Sequence, residues 1–260
     1  MADALDGFDL LDRRLLNDFQ RGFPLLERPF AAIAVRVGAS EREVLERYRR
    51  LAQDGIVSRI GVVLRPNAAG ASTLAAAAAP PQRLDEAAAF LSAQPEVNHN
   101  YEREHRYNLW FVLTAPSQAA LEATLARLER GLGLPLLSLP LLEEFHIDLG
   151  FDLRTGNAPR AAPAAVACID EAQRPLLAAL QEGLPLVPQP YAALGRATGM
   201  SAGEMMRAIG RWLDDGVARR VGVVVRHRAL GYEAHAMVVW DAPDAEANRI
   251  GTAMAAESCV

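Results

Sequence analysis

The sequence predicts an α+β chain: a winged helix-turn-helix, then a ferredoxin-like βαββαβ unit, then a second, incomplete pass through the same order. Three observations carry this. Residues 1–70 read as three helices punctuated by proline and glycine, followed by a β-branched run. Residues 71–153 alternate short strand patterns with two helical ones. The chain also repeats itself at a fixed offset of 161 residues, which lays Leu15 onto Leu176.

Residues 9–21 are the first expected helix, with Leu11, Leu15 and Phe19 on one face and Gly22 as its stop. Pro29 opens the second, because a missing N–H is no loss in a first helical turn, and Gly38 ends it. Ser40 and Glu43 form an S-x-x-E capping box for the third helix, which Gly55 closes. The run IVSRIGVVLR (56–65) has the branched content of a strand pair or wing. Residues 72–79 (STLAAAAA) suit a strand in spite of alanine's helical preference. A helix over 83–93, strands near 96–101 and 106–114, a helix over 117–131 and a strand over 142–149 complete the βαββαβ order. A polar, proline- and alanine-rich linker covers 154–168.

The repeat runs without a gap from Leu15 to Gly70, and 22 of those 56 positions are identical in the second copy. Gly22 falls on Gly183, Pro29 on Pro190, Gly38 on Gly199, Ser40 on Ser201, and RIGVVLR on RVGVVVR. A second winged unit is therefore expected over 169–231, and the start of a second ferredoxin-like domain over 232–260. The counterpart of Val97 would be residue 258 of 260. The second sheet unit is thus expected to be truncated and the chain a fragment, since half a domain leaves a sheet edge unpaired.

Composition narrows the function classes. Half the residues (51%) are hydrophobic and the mean hydropathy is +0.04, as in a globular protein with real cores. The net charge of −5 lacks the basic footprint that phosphate backbones demand, so DNA is an unlikely partner. Cys168 and Cys259 form no pair or zinc pattern. The sequence shows no secretory leader and no long apolar run, so the expected location is the cytoplasm, away from membrane.

One stretch concentrates the polar chemistry: VNHNYEREHRYNLWFV (97–112), with two of the five histidines, two arginines and two tyrosines. With the duplication and the pair GVVLRPNAAG and GVVVRHRALGYEAHAMVVWD, this stretch resembles the siroheme decarboxylases, in the fused two-half form of denitrifiers. The broader order of elements resembles the Lrp/AsnC regulators. The resemblance implies a carboxy-lyase that removes carbon dioxide from two acetate side chains of siroheme. The product, 12,18-didecarboxysiroheme, leads to haem d1; related proteins serve an alternative haem route. No cofactor is implied, because the iron belongs to the substrate.

The residues suit such chemistry. Losing carbon dioxide from a pyrrole acetate requires a proton donor near neutral pH, and His99 and His105 are the candidate catalytic pair. Guanidinium groups bind carboxylates in a fork, and aromatic walls cover a flat macrocycle. Tyr101, Arg103, Tyr107, Asn108 and Trp110, with the repeated Arg65 and Arg226, are the candidate substrate contacts; no metal ligands are assigned. On a regular strand His99, Tyr101, Arg103 and His105 would share one face. A turn near residues 102–104 would break that register. The partner expected beside siroheme is the chain's own second half, as a pseudo-dimer, with homo-oligomers left open. Rival readings are an Lrp/AsnC-type DNA-binding regulator and a haem-binding sensor without catalysis. Against the regulator, the third helix mixes Glu41, Glu43 and Glu46 with its arginines, and Met205, Met206 and Trp212 of its repeat suit packing.

Overall fold

The computed structural model describes residues 5–141, 150, 152–154, 169–231 and 240–255, apart from the side chain of His99. It divides into two compact units. Unit 1 comprises residues 1–64, 145–165 and 170–260; unit 2 comprises residues 65–144 and 166–169.

Unit 1 holds both helix-turn-helix copies. In the first, α1 (Leu10–Asn17) is capped by Asp9, whose carboxylate accepts from the Asp12 N–H at 2.9 Å. It is shorter than the expected 9–21. Next, α2 (Pro29–Val37) runs from its N-terminal proline to Gly38. Then α3 (Glu41–Gln53) starts at Ser40, which accepts from the Glu43 N–H at 3.2 Å. Only that half of the expected capping box is seen in α3, and the Glu43 carboxylate lies 3.8 Å from Arg47. The second copy repeats the order with α6 (Arg174–Leu180), α7 (Pro190–Thr198) and α8 (Ala202–Asp214), and here Ser201 and Glu204 close the box in both directions. Phe19, Phe30, Tyr48 and Leu51 fill one core; Tyr191, Met205, Ile209 and Trp212 fill the other. Finally, α9 (Asp244–Met254) occupies the place in the second repeat that a helix over 84–92 holds in the first.

The run 56–65 is not the expected hairpin wing. It forms one strand, β1 (Val57–Leu64), and its partner is β6 (Ala218–Val225), its own repeat. The register is self-symmetric: Gly61 faces Gly222, and exchanging the copies carries the pair Val57–Val225 onto Leu64–Ala218. The irregularities obey the same exchange, with Ser58 and its counterpart Arg219 left out of the ladder. Two more bonds mirror each other across the ribbon, from Phe23 N–H to Val221 O (3.2 Å) and from Leu184 N–H to Ile60 O (2.6 Å). Glycine permits this closeness. A Cβ on Gly222 would run into the Gln20 carbonyl and sit 2.7 Å from that of Phe19. The ribbon also buries Arg220, which donates to Gln20 O and Val223 O; burial, with Arg21 and Arg59 nearby, draws its guanidinium down to about 10.

Unit 2 is a four-stranded antiparallel sheet in the order β3-β4-β2-β5, with β2 (Ala71–Ala77), β3 (Val97–Glu102), β4 (Leu109–Ala115) and β5 (Leu136–Pro140). The helices α4 (Leu84–Ser92) and α5 (Gln118–Leu132) pack on one face against Ala75, Ala77, Leu109, Phe111 and Leu113. This is the expected ferredoxin-like order. The edge strand β5 was not expected, and the strand expected over 142–149 lies outside the described residues. So do most of the linker, residues 232–239 and both cysteines.

Candidate functional site

All the candidate residues but Arg65 and Arg226 fall on the β3–β4 hairpin of unit 2. Strand alternation sorts them. Asn100 sits opposite Phe111, and its amide donates to Ala88 O at 2.9 Å, so it faces α4. Its neighbours in sequence therefore belong to the other face: Tyr101 pairs with Trp110, and residue 99 with Val112. The register thus places position 99 on the face bearing Tyr101, while the His99 side chain lies outside the described part of the structure. Leu74, Ala76, Val112, Leu137 and Leu139 continue that face, and the unit's helices pack on the opposite one. Tyr101 is 40% exposed there.

His105 is not on the strand. Pairing ends at Glu102, and residues 103–108 form a loop closed by the Arg103 N–H to Asn108 O bond of 2.9 Å. The turn breaks the alternation that would have lined up His99 and His105, and β4 starts at Leu109 instead of near 106. Within the loop, the imidazole Nδ1 of His105 accepts from the Tyr107 N–H at 3.1 Å. The two rings stack, 6.2 Å apart and inclined by 29°. The Arg103 guanidinium lies over the Tyr101 ring at 5.0 Å and also donates to Glu102 O. Arg106, which sequence reasoning passed over, lies 5.7 Å from the Tyr107 ring. Its only sequence signal was membership of the polar run.

Asn108 and Trp110 hold the backbone. The Asn108 amide accepts from Ala79 N–H (2.9 Å) and donates to Ala79 O (2.8 Å), while its own N–H donates to Ala77 O (3.1 Å). Buried Trp110 donates its indole N–H to Tyr107 O at 2.7 Å. Arg65 and Arg226 are not part of this hairpin. Arg65 directly follows β1; it is half-buried and its Nε has no hydrogen-bond partner among the described residues. Arg226 directly follows β6 in unit 1, exposed, with its N–H on Ile56 O. Of the remaining histidines, His146 and His235 lie outside the described residues. Among the described residues no cluster of His, Cys, Asp or Glu is placed to hold a metal ion, and no helix is long and apolar enough to cross a membrane.

The arginines of α3 are engaged within unit 1. Arg47 and Arg50 pair with Asp12, Arg47 also with Asp9, Arg42 with Glu46, and Arg49 donates to Leu186 O. In α8, Met205 and Trp212 are buried.

Paired helix-turn-helix copies joined to a ferredoxin-like sheet define a class, the Lrp/AsnC architecture. The model of the AsnC-like ligand binding domain matches residues 69–146. That of the siroheme decarboxylase NirDL-like HTH domain matches twice, over residues 12–57 and 173–219. The siroheme decarboxylase NirDL subunit of Paracoccus denitrificans is 50% identical over 252 residues, spanning 95% of this chain and 77% of that protein. The NirD subunit of Stutzerimonas stutzeri is 54% identical over 145 residues, 56% of this chain and 95% of the subunit. A crystal structure of the siroheme decarboxylase NirDL in co-complex with an iron-uroporphyrin III analogue superposes with a TM-score of 0.69 at 25% identity, covering 95% of this chain and 72% of that one. The chain belongs to the siroheme decarboxylase family.

Proposed function

We propose that this chain removes carbon dioxide from the two acetate side chains of siroheme, yielding 12,18-didecarboxysiroheme for haem d1 biosynthesis. The observation that carries the reading is the β3–β4 hairpin. It joins the apolar sheet face of Leu74, Ala76 and Val112 to a loop that bears imidazole, guanidinium and phenol groups in a chain that is half identical to a NirDL subunit. Each decarboxylation turns a CH2–COO− group into CH3 and takes up one proton. In this reading the pair His99 and His105 supplies that proton from one of its members. Arg103 and Arg65 meet the substrate's carboxylates, and Tyr101 and Tyr107 flank its ring. The iron arrives with the substrate. Pairing of the two repeats along β1–β6 supports a pseudo-dimer of the chain's own halves.

The regulator reading is weaker because Arg47 and Arg50 of α3 are paired with the buried Asp12 carboxylate and the helix carries Glu41, Glu43 and Glu46 among its arginines. Anaerobic incubation with siroheme followed by mass analysis tests the proposal. The expected product is lighter by two carbon dioxides. His99→Ala should lower the rate about 100-fold or more, the usual scale of proton-transfer catalysis. Full activity in both His99→Ala and His105→Ala would refute the assignment. Stable iron-tetrapyrrole capture without product would mark a sensor, and a salt-dependent gel shift a regulator.

A further inference from the structure

Two histidines are candidates for one proton-handling task, and the hairpin separates them. We propose that His105 serves as a fixed Nε2–H donor to a substrate carboxylate and not as the proton source, and that Asn108 and Trp110 are positioning residues acting through the loop. This rests on the siroheme reading above and adds a division of labour to it.

The argument begins at Tyr107. Its N–H points at His105 Nδ1, 3.1 Å away, so Nδ1 must present a lone pair. A neutral imidazole then carries its hydrogen on Nε2, the tautomer being set by the partner of the other nitrogen. The Tyr107 peptide is itself held on its other side, because Tyr107 O accepts from the Trp110 indole. Stacking of the Tyr107 ring limits rotation of the imidazole. The loop as a whole is pinned to the end of β2 and the residues after it: Asn108 accepts from Ala79 N–H and donates to Ala79 O and Ala77 O. Trp110 has a single donor, and it is in use; the Asn108 amide is engaged through both its oxygen and its nitrogen. These two side chains therefore act on substrate through the group they hold. An Nε2–H on an exposed loop that also carries Arg103 and Arg106 suits the carboxylate rim of a polyanion.

The test uses the full chain and two independent readouts. Nitrogen NMR of histidine-labelled protein reads the tautomer without any substrate. The Nε2–H form is expected for His105 in the unsubstituted protein, and a mixture of tautomers in Asn108→Ala. A mixture, or an Nδ1–H form, in the unsubstituted protein would overturn the proposal whether or not siroheme is turned over. The second readout is kinetic. A glutamine amide can replace an Nε2–H donor but cannot carry a proton. His105→Ala should raise KM roughly tenfold, the scale of one hydrogen bond to a charged group, and His105→Gln should recover most of that rise. Trp110→Phe, which deletes only the N–H, should move KM in the same direction as His105→Ala with a smaller amplitude. If His105→Gln loses kcat as far as His99→Ala does, His105 is a proton source and the division of roles is wrong.

Discussion

Two antiparallel strand pairs organise this molecule, and they are built on opposite principles. In the β1–β6 ribbon the two copies pair so that exchanging them maps each cross-strand pair onto another, glycine meets glycine at the centre, and neighbouring backbone packs too closely for a Cβ. In the β3–β4 hairpin nothing is symmetric. Helices cover one face, aromatic and polar side chains mark the other, and the loop uses side-chain amides to brace its peptides. Positions that recur in both repeats build the scaffold. The hairpin lies beyond the stretch that aligns in both copies, and it carries most of the candidate site residues.

The largest effect that would sharpen this contrast belongs to the ribbon. Gly222→Val should cost about 3 kcal/mol, read as a fall in the urea midpoint, because the Gln20 and Phe19 carbonyls leave no room for a branched side chain. A wild-type midpoint would mean that the ribbon is incidental. Asp12→Ala comes next. It strips Arg47 and Arg50 of a shared, buried carboxylate and should cost about 1–2 kcal/mol, since both arginines keep partial access to water. Ser201→Ala should cost about 1 kcal/mol, and Ser40→Ala less, because only Ser201 sits in a complete capping box. Smallest of all, Gly210→Ala within α8 meets nothing within 4 Å and should stabilise by about 0.5–1 kcal/mol.

Acid should act on the scaffold through its caps. Asp9 is held below its usual 3.8, first by the Asp12 N–H and then by Arg47; Glu204 is held below 4.5 by the Ser201 hydroxyl and N–H. A carboxylate depressed in the folded state contributes stability above its unfolded value and loses it as pH falls through the folded one. Thermal midpoints should therefore decline below about pH 4.5, and Asp9→Asn with Glu204→Gln should make that decline shallower. An unchanged slope in the double variant would remove these caps from the acid response.

Much of the fold was legible because its signals are local. Pro29, Gly38 and Ser40 punctuate helices wherever they occur, and their counterparts Pro190, Gly199 and Ser201 confirm the reading by repetition. The ribbon was not legible, because an offset reveals that two strands are alike but not that they pair. Strand β5 was missed since LLSLP carries a proline, which a sheet tolerates at an edge. The polar run marked the hairpin correctly as a cluster, yet period-two alternation was the wrong rule past Glu102. Nothing in EREHRYN tells a strand from a loop until the Arg103 N–H finds Asn108 O. The bracing roles of Asn108 and Trp110 were equally hidden, for both depend on backbone groups of Ala79 and Tyr107.

Both strands of the ribbon lie on one polypeptide, so their encounter is a matter of loop closure and not of collision. Tenfold dilution should leave the melting temperature of this scaffold where it was. The same ribbon formed between two separate chains would come apart as the solution thinned.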